Sequence, residues 1–161
     1  MKSKFRYTAY LVALVSVLLF IILVTFFKKY VNSDVPLWKT FLITVFFLFI
    51  WIWMFFGELR SKMVSVDIDH DKIRIKKYLG IGMLKEYQIG EISGFKISVL
   101  RSRGGVYEYL YLMVGDKKIG KISEYYHRNY KDLKNFLITS GLRNLGTEQF
   151  SNRQELKDIF S

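Results

Sequence analysis

Cysteine is absent from the chain, so it holds neither a disulfide framework nor a thiolate that could bind zinc or act as a nucleophile. Histidine is nearly absent, and His70 and His127 leave little material for a histidine-rich metal site. Proline occurs once, at Pro36, and no repeat or low-complexity linker interrupts the sequence. Acidic residues are outnumbered, 14 Asp and Glu against 25 Lys and Arg, for a formal net charge of +11. What is abundant is apolar and aromatic: 51% and 17% of the 161 residues. That is too much for a disordered chain, and the length suits about one domain.

The apolar residues are concentrated in two runs. Tyr7 to Phe27 is 21 residues without a charge, and Thr40 to Gly57 is another 18. A hydrocarbon core of about 30 Å takes roughly 20 helical residues, and a helix satisfies its own backbone hydrogen bonds in lipid. The sequence therefore predicts a two-helix membrane hairpin over residues 1–57, with spans at about 7–27 and 38–57 if Lys39 snorkels to the interface. An N-terminal signal peptide is a poorer reading, because Thr25-Phe26-Phe27-Lys28-Lys29 offers no small-residue cleavage site. Lys2, Lys4, Arg6, Arg60 and Lys62 on the terminal side outnumber Lys28, Lys29 and Lys39 in the connection. The positive-inside rule then puts both termini in the cytoplasm, with Asn32-Ser33-Asp34 and Pro36 in a short outer loop. Neither uncharged run contains Asp, Glu, Lys, Arg or His for a proton or ion path, which argues against a pump or transporter.

From Glu58 onward the period changes to alternation. Val64, Val66 and Ile68 share one face, and His70-Asp71 reads as a turn into a second strand from Ile73 to Leu79. Further strands are expected at Met83 to Ile89, Phe95 to Val99, Tyr107 to Val114 and Lys118 to Ile122, six in all. One helix follows, capped by Asn129, with Leu133, Phe136 and Leu137 on its apolar stripe and Gly141 as its stop. Residues 58–143 thus form a small β-rich α+β domain, and 144–161 a tail. In that tail Ser151-Asn152-Arg153-Gln154 has the capping-box pattern of a short last helix over Glu155 to Phe160.

The run Val64-Ser65-Val66-Asp67-Ile68-Asp69-His70-Asp71-Lys72-Ile73-Arg74-Ile75, the Glu91-Ile92 that precedes a new strand, and the helix Tyr130 to Leu142 together resemble bacterial membrane-anchored pleckstrin-homology-like proteins. The resemblance covers roughly residues 62–142 and departs from the family in showing six strands instead of seven. It implies a barrel or sandwich closed by one C-terminal helix, and a module that binds proteins, peptides or lipids without a catalytic residue, a cofactor or a small-molecule substrate. It also implies a place in the bacterial cytoplasmic (inner) membrane. The first hairpin loop, Asp69-His70-Asp71-Lys72, lacks the basic cluster by which eukaryotic relatives read inositol phosphates.

Candidate sites follow from residue type. Tyr107, Tyr109 and Tyr111 share a strand face and are candidates for a protein partner's surface. Lys76, Lys77, Lys85, Arg101 and Arg103 are candidate contacts for anionic lipid or another anion, the two arginines just before the Gly104-Gly105 turn. Ala9, Ala13 and Ser16 form a small-residue stripe on which another helix could pack. Asp67, Asp69 and Asp71 open like a calcium loop, but Lys72 and Tyr78 stand where that loop needs Gly and Glu. No motif for nucleic acid, phosphate-loop or nucleophile chemistry is present. The sequence therefore predicts a membrane-anchored binding or scaffolding protein with a protein partner of unknown identity. The alternative is a small accessory or immunity-type subunit that packs its helices against a larger membrane protein or toxin.

Overall fold

The computed structural model describes residues 1–31, 37–69, 71–102 and 105–151. The outer loop at Asn32-Ser33-Asp34 and Pro36, the turn residue His70, the Arg103-Gly104 tip and the capping-box helix expected at 152–160 lie outside the described residues. Two long helices come first, α1 (Tyr7–Val31) and α2 (Leu37–Ile52), the latter continuing as a π-helix over Trp53–Arg60. Tyr7–Lys29 and Trp38–Arg60 are each long and apolar enough to cross a membrane. Their large side chains, Leu14, Phe20, Phe41, Phe46 and Phe49 among them, are exposed in the isolated chain. A core helix of a water-soluble protein buries that surface instead.

The remaining chain builds two antiparallel meanders. β1 (Ser65–Ile68), β2 (Lys72–Lys76) and β3 (Leu84–Gln88) form a three-stranded sheet. β4 (Gly94–Ser102), β5 (Gly105–Val114) and β6 (Lys117–Ser123) form a second sheet, and a bridge between Met63 and Ile122 ties the two. α3 (Tyr130–Thr139) follows, with Gly141 at φ +79 ending it. The apolar face of β1 and β2, Val66, Ile68, Ile73 and Ile75, packs on Phe95, Ile97, Leu110, Leu112 and Ile122 of the second sheet and on Leu133 and Leu137 of α3.

Three expectations need correction. The segment assigned to a tail begins with a seventh strand, β7 (Asn144–Gln149), parallel to β4 at the edge of the second sheet, so α3 is not the last element. β2 ends at Lys76 instead of Leu79, because Tyr78 and Leu79 turn into the left-handed region at φ +54 and +57. Asn129 precedes α3 but makes no capping bond there. Its side chain turns to the first residues, accepting from the Lys4 N–H at 2.7 Å and donating to the Lys2 carbonyl at 3.0 Å.

That contact belongs to a larger one. Residues 1–3 run antiparallel beside β1, on the edge opposite β2, with the Ser3 N–H on the Val66 carbonyl at 2.8 Å and the Val66 N–H on Ser3 Oγ at 2.9 Å, and Phe5 bridges to His127. The Arg128 N–H donates to the Lys4 carbonyl and the Arg6 N–H to the Tyr126 carbonyl, both at 2.8 Å. An otherwise open sheet edge is thereby covered by the strand that leads into α1. His127 sits under it, fully buried, with its ring centroid 4.8 Å from that of Phe5.

Candidate functional site

The end of the domain that meets the helices is fixed by a small polar and aromatic joint. Glu58 pairs with Lys62 one helical turn on at 2.6 Å, and Tyr126 donates to the other Glu58 oxygen at 2.6 Å. Burial, then the adjacent Glu58 charge, pushes the Tyr126 hydroxyl pKa far up, so it stays a donor. Ala9, Leu59, Met63 and Tyr126 close over this joint, with Val12, Ala13, Phe55, Tyr78 and Leu79 packed against them. Ala9 and Ser16 are buried within the chain and Ala13 is half-buried, so the small-residue stripe is spent on intramolecular packing.

Beside the joint lies a cleft of about 700 Å³, between the N-terminal segment and the β1–β2 hairpin. Lys2, Lys4, Lys76 and Arg128 reach it from three parts of the chain, with Ser3 and Ser65 on its wall and Tyr10 of α1 at its margin. These four cations form no ion pair among the described residues. Asp67 and Arg74 also line the cleft, 3.8 Å apart, while Glu86, outside the lining, accepts from Arg74 at 3.1 Å and Lys72 at 3.3 Å. Those bonds hold the Glu86 carboxyl below its usual pKa. The lining of the cleft is therefore net positive, Lys2, Lys4, Arg74, Lys76 and Arg128 against Asp67.

The anion contacts read from sequence are dispersed by the fold. Lys76 lines the cleft, while Lys77 and Lys85 stand beside the β2–β3 loop. There Lys77 is half-buried, and burial first, then the charges of Arg60 and Lys85, lowers its pKa. Arg101 lines a separate hollow of about 480 Å³ with Val99 and Glu148, on the β4–β7 side. Lys2 and Lys4 read only as topology charges in the sequence, and Arg128 carried no signal, because its role depends on the N-terminal segment folding back across the domain.

The tyrosine surface is not a surface. β5 is an inner strand with both faces covered, leaving Tyr109 and Tyr111 at 4% and 3% exposure in a cluster with Met113, Leu100, Leu145 and Phe150. Lys121, 5% exposed, lays its ammonium 4.3 Å from the Tyr109 ring centroid, and Lys118 lies 3.9 Å from that of Tyr111. Only Tyr107 stays partly exposed, its ring edge-on to Tyr125 at 5.3 Å. Tyr111→Ser is accordingly expected to destabilise the fold by about 3 kcal/mol, as deletion of a buried ring does, visible as a lowered unfolding midpoint of the full chain in detergent. An unchanged midpoint would return this face to the solvent.

Among the described residues no three His, Asp or Glu side chains converge as a metal site would require. Comparisons with protein-family models, with curated proteins and with solved structures find no match for this chain.

Proposed function

We propose that the chain is a membrane-anchored, non-enzymatic binding or scaffolding protein. It crosses the bacterial cytoplasmic membrane twice and holds a pleckstrin-homology-like domain against the cytoplasmic surface. The observation that carries this reading is the double attachment of the domain. Residues 2–6 are hydrogen-bonded into it before α1 begins, and the end of the second helix is bound to it through Glu58 and Tyr126. Both ends of the helical hairpin therefore leave on the domain's side, which supports a two-span topology with both ends on one side, and the excess of Lys and Arg on that side supports the cytoplasm. The attachment also supports a platform of fixed height and orientation, as opposed to a domain on a flexible tether.

The binding site in this reading is the basic cleft, which opens where the first span starts and suits an anionic lipid headgroup. The accessory-subunit alternative rested on the small-residue stripe, and the burial of Ala9 and Ser16 removes that support.

Two measurements test the proposal. In sealed inverted membrane vesicles, Lys2→Cys and Asp116→Cys are expected to react with an impermeant maleimide and Lys29→Cys to be protected. Any other pattern rejects the topology. Native mass spectrometry of the detergent-released chain is expected to show retained anionic phospholipid that the double variant Lys4→Glu, Arg128→Glu loses. Adducts that survive that variant would move the binding site elsewhere.

A further inference from the structure

The β2–β3 connection is the part of the domain that water explains least. After three successive left-handed residues, Tyr78, Leu79 and Gly80, the chain presents Ile81 and Met83 at 87% exposure each, followed by the exposed Leu84. A soluble domain has no reason to hold two consecutive non-glycine residues at positive φ, a strained arrangement, in order to expose apolar side chains.

What the strain accomplishes is placement. The Tyr78 ring packs on Phe55 at 5.2 Å, and Phe55 stacks on Trp51 at 5.1 Å, which in turn meets Phe20 of α1 at 5.1 Å. The Leu79 N–H is held by the Met63 carbonyl at 2.9 Å, and Tyr78 and Leu79 pack in the cluster that contains Val12 and Ala13. Ala13 lies six residues into the first candidate span. At a rise of 1.5 Å per residue that is about 9 Å past its start, close to the depth of roughly 5–10 Å at which the headgroups give way to acyl chains. Lys76 is paired in register with Leu84, and Lys85 with Ile75, so the apolar tip is flanked by Lys76, Lys77 and Lys85, with Arg60 near Lys77.

We infer that the loop from Tyr78 to Leu84 is a third membrane contact, in which Ile81, Met83 and Leu84 enter the headgroup–acyl boundary beside the helices while Lys76, Lys77 and Lys85 take the phosphates of anionic lipids. The occupant is lipid because the loop is continuous with the apolar surface of the two helices and its flanks are cationic. With this contact the domain is held at three points, the N-terminal segment, the π-helical exit and the loop, which fixes its tilt and turns the basic cleft, lined in part by Leu79, Gly80 and Leu84, toward the headgroups.

This inference rests on the membrane reading above, and the lack of native cysteine lets one experiment separate the two. Leu14→Cys, Met83→Cys and Asp116→Cys, each carrying a nitroxide, are placed singly in the full chain in lipid nanodiscs. Collision rates with oxygen, which favours lipid, and with a neutral nickel chelate, which favours water, are read by power-saturation electron paramagnetic resonance. The expected result is a several-fold higher oxygen-to-nickel ratio for labels at 14 and 83 than at 116. The label at 83 should become shallower when phosphatidylglycerol is replaced by phosphatidylcholine.

A label at 83 that behaves like the one at 116, while the one at 14 is in lipid, overturns the loop contact and leaves the spans standing. A label at 14 in water overturns the membrane reading itself. Shielding of the label at 83 from both reagents means protein covers the loop, which overturns lipid as its occupant. Immersion indifferent to lipid charge overturns the role given to the lysines.

Discussion

Gly94→Ala is expected to destabilise the domain by about 3–5 kcal/mol, combining forbidden backbone geometry with a steric clash. Gly94 opens β4 at φ +144, and a Cβ there would stand 2.1 Å from the Arg143 carbonyl oxygen and 3.0 Å from Leu145 Cγ. That carbonyl also accepts the Phe95 N–H at 2.9 Å, where the parallel pairing of β4 with β7 begins. Relieving the clash thus means separating β7 from the sheet, which uncovers Tyr109 and Tyr111 as Leu145 and Phe150 withdraw. Gly141→Ala is the control: its φ is +79 but nothing lies within 4 Å of the added methyl. It should cost only the strain of a left-handed residue, about 1–2 kcal/mol. Chemical unfolding of the two full-length variants in detergent distinguishes them, and equal costs would mean that β7 is not docked as described.

His127→Ala should cost a similar amount, about 3–5 kcal/mol from the cavity and the orphaned backbone groups together. The buried ring joins the two sheets: in the neutral tautomer protonated at Nε2 it donates to the Val64 carbonyl at 2.9 Å and accepts the Ser123 N–H at Nδ1, 3.2 Å away. Burial lowers the pKa of His127 from 6.5 despite the Ser123 and Val64 carbonyls, each 2.9 Å from a ring nitrogen, which favour the protonated ring. The unfolded chain therefore takes up a proton near pH 6.5 that the folded chain takes up only at lower pH. Stability contributed by the neutral ring is present above about pH 6.5 and is lost as pH falls from there toward the folded-state pKa. Unfolding free energy measured from pH 7.5 down to pH 5 should fall for the native chain and fall less for His127→Phe, which keeps a ring but cannot protonate. Parallel slopes in the two proteins would remove His127 from the pH response.

Charge reversal at Lys76, Lys77 or Lys85 belongs to a different class of effect. Those side chains project from a loop and from strand positions outside the core, and in the proposed loop contact what they meet is lipid.

The legible parts of the molecule are those where a local rule acts on a local pattern. An uncharged apolar run of about twenty residues makes a helix long enough to cross a membrane, and Val66-x-Ile68 and Ile73-x-Ile75 bury one face of a hairpin by period alone. β7 escaped because an edge strand is held by its backbone ladder to β4 and needs no apolar alternation: Asn144 to Gln149 is mostly polar and exposed. Tyr107, Tyr109 and Tyr111 misled for a related reason. Alternation tells which residues share a face, and it does not tell whether a later strand and Phe150 will cover that face.

Sequence alone determined the two apolar helices, the meander of six strands, the helix after it and the absence of thiol chemistry, since each follows from composition or from a period within a short window. The tertiary structure decided where the charges converge. Lys2, Lys4, Lys76 and Arg128 are separated by up to 126 positions and meet because residues 1–3 lie beside β1, Lys4 to Arg6 lie against residues 126–128, and Asn129 clamps the segment. The exposed Ile81 and Met83 stand beside the helices because the Tyr78 ring packs on Phe55. Such meetings depend on backbone pairing and ring packing between distant segments, which no local window of the sequence encodes.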